Sequence, residues 1–347
     1  MKKAKIAVVG AGWWAVENHL PLLKANPDAE VVAVCTVGAE NLTKVQHAFS
    51  IPYGTENYGE MLSNVALDGV VISSPHVCHF DQARAAMTMN RHVMVEKPFT
   101  TNAAEARELT RLEHEHAVSI VIPYGYNFSE LADAATEYVR QGLLGEIQHG
   151  VLHMASATAS LFRGERVAWA RGSLVEPSPS TWADPQKAGG FGWGQLSHAL
   201  GLLFLLVDSQ AESVFSYTVK AASGVDLSDA ASIRLRSGVT VAVSGSSALA
   251  PHAKAQLDLR LFGTAGHLSL DFERERVEVH THAGKTLRIE PAKDAGVYTC
   301  KKPVGFFVDA CIGRAGRNPA SGIIGLRSIE VLDAMYRSAE SGRPEAV

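Results

Sequence analysis

The feature that most limits what this chain can become lies within its first fifteen residues. An apolar run, Ile6-Ala7-Val8-Val9, leads into Gly10-Ala11-Gly12-Trp13-Trp14-Ala15 and then into a helix-like segment. Strand, glycine turn and helix in that order fit the GxGxxG/A pattern of a dinucleotide-binding turn. Gly10 permits the tight turn, Gly12 lets the backbone approach a pyrophosphate, and Ala15 lets helix and strand pack closely. The helix N-terminus then offers unpaired N–H groups and the positive end of its dipole to phosphate. The pattern continues beyond the turn. Residues 5–9, 30–35, 69–73, 92–95 and 118–122 are short runs rich in Val and Ile, and 14–25, 40–49, 80–89 and 103–116 carry helical patterning. Continuous apolar runs suit parallel strands covered on both faces. The alternation predicts a doubly wound parallel sheet of the Rossmann type.

From about residue 145 the pattern changes. Residues 147–158, 212–222, 230–236, 239–247, 255–262, 267–272, 276–282 and 286–289 read as strands with no long helices between them. Ser237-Gly238 and residues 263–266 read as hairpin turns. A last helix over 323–341 sets Leu326, Ile329, Leu332, Tyr336 and Ala339 on one face, and Gly342 and Pro344 end it. We therefore expect two domains: residues 1–122 as an α/β dinucleotide-binding domain, and 123–347 as an open, mainly antiparallel α+β domain for substrate and oligomer contacts. One face of an open eight-strand sheet needs cover, which predicts a homo-oligomer, a dimer or tetramer.

Composition excludes several partners. Lys and Arg number 32 against 36 Asp and Glu, a net charge of −4, so no basic excess exists for nucleic acid. The longest strongly apolar run, 199–207, is far short of the roughly 20 residues that cross a bilayer. No signal peptide is expected at the N-terminus. Cys35, Cys78, Cys300 and Cys311 are scattered without a CxxC pair, which fits a reduced, cytoplasmic protein. His76, Cys78 and His79 lie close in sequence without a carboxylate, a poor ligand set, so no metal is expected. Tyr217 and Lys220 are three apart rather than four, which argues against a TyrxxxLys mechanism.

The end of the second strand bears on cofactor choice. It reads Val34-Cys35-Thr36-Val37-Gly38, without the acid that usually accepts from the ribose 2′-hydroxyl of NAD; the nearest acid is Glu40. Thr36 and the amides after it could donate to a 2′-phosphate, and Lys44 is the nearest cation. The cofactor expectation is NAD or NADP, tilted toward NADP.

At the end of the predicted 92–95 strand stands Glu96-Lys97-Pro98. With the glycine turn, it resembles the glucose–fructose oxidoreductase/inositol dehydrogenase/rhizopine-catabolism (Gfo/Idh/MocA) family, and the resemblance covers nearly the whole chain. Ser73-Ser74-Pro75-His76-Val77-Cys78-His79 looks like that family's turn on the nicotinamide side, and Gly125-Tyr126-Asn127 like the segment after its fifth strand. Trp182-Ala183-Asp184-Pro185, Gly189-Gly190 and His198 resemble its substrate-domain helix. The resemblance implies an NAD(P)-dependent dehydrogenase transferring a hydride to or from a secondary hydroxyl of a small-molecule substrate, a sugar, glycoside or cyclitol. It implies cofactor contacts from Gly10, Gly12, Trp13, Trp14, Ala15, Thr36, Ser74, Pro75, His79, Glu96 and Lys97, and substrate contacts from Tyr126, Arg163, Trp182, Gln195 and His198. Lys97 and His198 take the catalytic roles. A lysine beside oxidised nicotinamide has its pKa lowered, and a histidine is a natural proton acceptor with an ordinary pKa of about 6.5.

One departure stands out. Family members commonly carry Asp four residues before the histidine, where this chain has Gly194. Either His198 works unassisted, or Lys97 carries the proton, or Tyr126 joins in. Residues 163–187 form the one long irregular insertion, with Arg163, Arg166, Arg171, Phe162, Trp169 and Trp182 in or beside it. Guanidinium forks suit carboxylates, so a carboxylated cyclic dihydrodiol is the alternative substrate class. A non-enzymatic NAD(P)-binding regulator is the third reading, prompted by Gly194.

Overall fold

Six parallel strands form the sheet that the first half of the chain predicts. They are β1 (Ala4–Val9), β2 (Ala29–Cys35), β3 (Tyr53–Thr55), β4 (Gly69–Ile72), β5 (His92–Val95) and β6 (Ile120–Val121), in the order β3-β2-β1-β4-β5-β6. The computed structural model describes residues 2–167, 170–178 and 181–347. Strand order reverses at β1, the switch point where dinucleotides bind in doubly wound sheets. Val8, Val70, Val71, Ile72, Val93, Met94 and Val95 are fully buried, which is why these strands read as continuous apolar runs. The helices between strands start on side-chain caps where the sequence provides them. Asn57 accepts from the Glu60 amide and Asn102 from the Glu105 amide.

Several elements of this unit are absent from the sequence reading, the short helix Tyr58–Asn64 among them. β3 spans three half-buried residues and carries no apolar run. The helix Lys301–Cys311 comes from far along the chain and packs on β5. Its reach explains Gly69, where a β-carbon would lie 2.7 Å from the Phe307 ring and 2.5 Å from Cys311 Sγ. The compact unit therefore comprises Met1–Pro123, Arg166–Thr181 and Cys300–Leu326.

The other unit comprises Tyr124–Glu165, Trp182–Thr299 and Arg327–Val347. Its strands are β7 (Ile147–Ala155), β8 (Ala211–Lys220), β9 (Asp226–Leu235), β10 (Thr240–Ser246), β11 (Gln256–Gly263), β12 (Gly266–Asp271), β13 (Arg276–Thr281), β14 (Thr286–Arg288) and β15 (Glu345–Ala346). They form one sheet in the order β14-β13-β12-β11-β7-β10-β9-β8-β15, antiparallel except where β7 meets β10. Nine strands replace the expected eight, because the C-terminal residues add β15 to the edge.

The patterning expectation of no long helix among these strands also fails, whereas the helix implied at His198 by the family resemblance is present. Ser197–Leu206 is a ten-residue helix between β7 and β8, and all ten residues are buried. A helix apolar on every side shows no amphipathic period, so its pattern could not be told from a buried strand. A register shift between Val219 and Lys220 puts an extra residue into β9, so that Asp226 and Asp229, three apart, are both buried.

Candidate active site

The first unit gathers its site around the glycine turn. Gly10 has φ +77°, and a β-carbon there would collide with the backbone N and Cα of Ser74, so the turn sits directly on the end of β4. A β-carbon on Gly12 would meet no protein atom within 4 Å. It would instead fill the cradle that a pyrophosphate requires, so these residues fit a dinucleotide. Ala15 is fully buried.

Residues Ala15–His19 wind as a π turn before the α-helix Leu20–Ala25. The five-residue hydrogen-bond spacing of such a turn suits the meeting of Trp14 and His19, five apart, at one carboxylate oxygen. Trp14 Nε1 donates to Glu96 Oε1 at 2.7 Å, and His19 Nε2 lies 2.7 Å from the same oxygen. The Lys97 amide donates to Glu96 Oε2 at 3.1 Å. Glu96 is 6% exposed and His19 not at all, and His19 Nδ1 has no partner among the described residues. Burial pushes the Glu96 carboxyl up, but His19, Lys97 and the Trp14 indole more than offset this and hold it at about 2. Burial lowers the pKa of Lys97, opposed by Glu96 and the Cys300 thiol.

Around these groups the supporting turns are tied down. Ser74 Oγ donates to Gln82 Oε1 at 2.6 Å. His79 is fully buried, and its ring nitrogens face the carbonyls of Pro98 at 2.8 Å and Ser74 at 3.0 Å. It thus fastens the turn after β4 to the Lys97-Pro98 turn. Among the described residues no cluster of three or more His, Cys, Asp or Glu could hold a metal, and no helix is long and apolar enough to cross a membrane.

At the tip of β2 the structure adds an acid that sequence reasoning missed. The Gly38 amide donates to the Glu56 carboxylate, which follows β3, and the Thr36 amide donates to the Thr55 carbonyl at 3.3 Å. Thr36 itself is half-buried.

In the second unit His198 sits 5% exposed on the apolar Ser197–Leu206 helix. Three tyrosine rings approach it edge-on: Tyr298 at 5.0 Å, Tyr124 at 5.9 Å and Tyr126 at 6.0 Å between centroids. Tyr126 also meets Phe272 and Tyr298, and burial pushes its phenol up to about 12, so it acts as an O–H. Asn127, fully buried, donates to the Gly201 carbonyl at 3.1 Å.

Gly190, Gly192 and Gly194 have a shared explanation. A β-carbon would collide with Asp226 at Gly190, lie 2.5 Å from the Tyr336 hydroxyl at Gly192, and 3.2 Å from the Phe162 ring at Gly194. The place of the missing acid is thus taken by Phe162. Acidity is supplied elsewhere: Asp226 accepts from the Gly192 amide at 2.6 Å and from Tyr336 Oη at 2.7 Å, with Asp229 behind it. Gln195 and Trp182 are half-buried, and Arg163, Arg166 and Arg171 are exposed. Trp169 lies outside the described residues.

Comparison with known proteins places both halves of the chain. Residues 4–124 match the family described as "Oxidoreductase family, NAD-binding Rossmann fold", and residues 133–269 match "GFO/IDH/MocA C-terminal domain". An uncharacterized oxidoreductase of Synechocystis sp. is 26% identical over 203 residues, 58% of this chain and 50% of that protein. The chain thus matches only about half the length of that relative. D-apiose dehydrogenase of Paraburkholderia graminis is 25% identical over 360 aligned residues, 99% of this chain and 89% of that protein. Among solved structures, GenD2 from gentamicin A biosynthesis, in complex with NAD, shares the fold with a TM-score of 0.76 at 22% identity. The match covers 100% of this chain and 97% of that one.

Proposed function

The chain belongs to the Gfo/Idh/MocA oxidoreductase family, and from that premise we propose that it is an NAD(P)-dependent dehydrogenase acting on a secondary hydroxyl, or the matching ketone, of a sugar, glycoside or cyclitol. The observation that carries the reading is Lys97, a lysine with lowered pKa adjoining the buried anion Glu96. The similarity to a D-apiose dehydrogenase over nearly the whole chain favours a sugar-like substrate.

Nicotinamide, when bound, supplies the hydride acceptor or donor. The glycine turn at Gly10 and Gly12, with Trp13, Trp14 and Ala15, holds the dinucleotide phosphates. Ser74 and Pro75 are assigned to the same cofactor, with His79 holding their turn in place. Lys97 hydrogen-bonds the reacting oxygen, and burial lowers its pKa from the ordinary lysine value. Glu96 sets that lysine electrostatically. His198 accepts the hydroxyl proton, and Tyr126 and Gln195 offer hydrogen bonds to the substrate. Arg163 and Trp182 are assigned to the substrate as well.

A panel of aldoses, glycosides, cyclitols and carboxylated cyclic dihydrodiols, run with NAD and with NADP and followed by nicotinamide absorbance, tests the substrate class. Turnover with the sugars and cyclitols supports the proposal. Activity confined to the dihydrodiols would move it to the alternative class, and no reduction of either cofactor would favour the regulator. With the active substrate, Lys97→Ala should lower turnover by roughly 10²–10³-fold, the range for losing one donor to the reacting oxygen, with cofactor binding largely retained. Unchanged turnover would remove Lys97 from the mechanism.

A further inference from the structure

We propose that this chain discriminates for NAD against NADP, and that Glu56 is the residue responsible. The proposal rests on the dinucleotide site described above and reverses the expectation drawn from the bare end of β2.

In doubly wound sheets the ribose of the adenosine half lies at the end of the second strand, where an acid accepts from its 2′-hydroxyl. Here β2 ends at Cys35 and offers none. The neighbouring strand supplies it instead. β3 runs parallel to β2 with Thr55 level with Cys35, so Glu56 leaves the sheet beside Thr36. The turn Thr36-Val37-Gly38 then curls so that Gly38, at φ +93°, directs its N–H to the Glu56 carboxylate. An acid one strand over thus reaches the region that an acid ending β2 would serve.

The surroundings are unsuited to a 2′-phosphate. The Thr36 and Gly38 amides, which could have received it, already donate to Thr55 and Glu56. Lys44, the nearest cation in sequence, pairs with Glu40 at 2.7 Å. A second carboxylate, Glu60, stands beside β3, where it accepts from Tyr53 Oη at 2.8 Å and from Thr55 Oγ1 at 3.3 Å. The Cys35 thiol registers this negative charge: burial first, then Glu56 and Glu60, push it up to about 11.

The two cofactors differ at the one group these residues address. A 2′-hydroxyl can donate to the Glu56 carboxylate, whereas a 2′-phosphate brings like charge against it, and the Thr36 and Gly38 amides are already engaged. Discrimination of this kind combines an attractive contact to one ligand with a repulsive one to the other. Glu56 and Glu60 are exposed, so salt screens the more distant part of the effect, with a Debye length of about 8 Å at physiological ionic strength.

The test is equilibrium binding of NAD+ and of NADP+ to the full chain at low and physiological salt, by calorimetry, so that no substrate is needed. The wild type should bind NAD+ more tightly by about tenfold or more, which corresponds to about 1.4 kcal/mol. Glu56→Gln should narrow that ratio severalfold through a gain in NADP+ affinity, and Glu56→Lys should narrow it further or invert it. Equal affinities in the wild type, or a preference for NADP+, would overturn the proposal while leaving the dinucleotide site intact. A ratio unchanged in both variants would remove Glu56 as its cause. Failure of the wild type to bind either nucleotide would instead overturn the dehydrogenase reading on which this one rests.

Discussion

Glu96 in the first unit and Asp226 in the second are both carboxyl groups at the end of a strand, and both are buried, at 6% and 1% exposure. Their surroundings differ in kind. Glu96 faces an imidazole, an ammonium, an indole N–H and a backbone amide, and is held at about 2. Asp226 faces two neutral donors, the Gly192 amide and the Tyr336 hydroxyl, and then a second buried carboxyl. Burial and the Asp226 charge together raise the pKa of Asp229 well above the usual carboxylate range. A neutral Asp229 can then donate to Asp226. One unit thus fixes a charge beside the lysine assigned to the chemistry. The other confines a single charge to two carboxyls and uses it to tie the start of the His198 segment to the C-terminal helix. Burial alone does not decide a carboxyl's state; the available positive charge does.

The largest stability difference should come from Glu96→Gln. Removing the anion leaves Lys97 buried without a countercharge and His19 Nε2 without its carboxylate partner, and the shift from 4.5 to about 2 corresponds to on the order of 3 kcal/mol. The sign follows from the direction. A carboxyl whose folded pKa is depressed contributes stability present above its unfolded value and lost as pH falls through the folded one. The melting gap between wild type and variant should therefore be wide at neutral pH and close as pH falls from about 4.5 toward 2. In turnover, loss of Glu96 lets burial lower the Lys97 pKa further, moving the limb that titrates Lys97 to lower pH. A melting gap constant from pH 7 to pH 3 would break the contrast at its first half.

The two halves of this contrast were unequally legible in the sequence. Glu96 and Lys97 stand in one motif at the end of an apolar strand, and the parallel sheet that presents them announces itself through continuous Val and Ile runs. His19 did not, because a helical histidine reveals nothing of a partner supplied by another strand. Glu56 was missed for a similar reason: β3 has no apolar run, so its register beside β2 could not be read. Asp226 and Asp229 were hidden by the extra residue in β9, since simple alternation puts residues three apart on opposite faces. The sequence revealed that Gly194 lacks an acid, but only the packed structure reveals Phe162 in its place.

Tyr336→Phe probes the second half with a smaller effect. It removes the hydroxyl that donates to Asp226 at 2.7 Å and accepts from the Trp193 amide at 3.3 Å. The stacking of the ring on Trp193, at 5.0 Å and 17°, is retained. A loss of about 1–3 kcal/mol in denaturant unfolding is expected, the range for leaving buried partners unsatisfied or weakening a bond to a charged group. A loss within about 0.5 kcal/mol would mean that this tie contributes little.

Asp229→Asn should have the smallest effect at acid pH and, against pH, the opposite sign to Glu96→Gln. A group whose folded pKa is raised contributes stability fully present below its unfolded value, near 3.8, and lost as pH rises through the folded one. The wild type carries that loss and the asparagine does not, so the variant should gain relative to wild type as pH rises from about 4. At acid pH, where Asp229 is neutral in both states, the two proteins should differ by no more than about 1 kcal/mol, since an amide can also donate to Asp226. Melting temperatures of wild type and both variants over one pH series decide the matter. Curves for Glu96→Gln and Asp229→Asn that diverge from wild type in the same direction would show both carboxyls to be held by positive charge. Opposite slopes would establish that the first unit stores a charge where the second stores a proton.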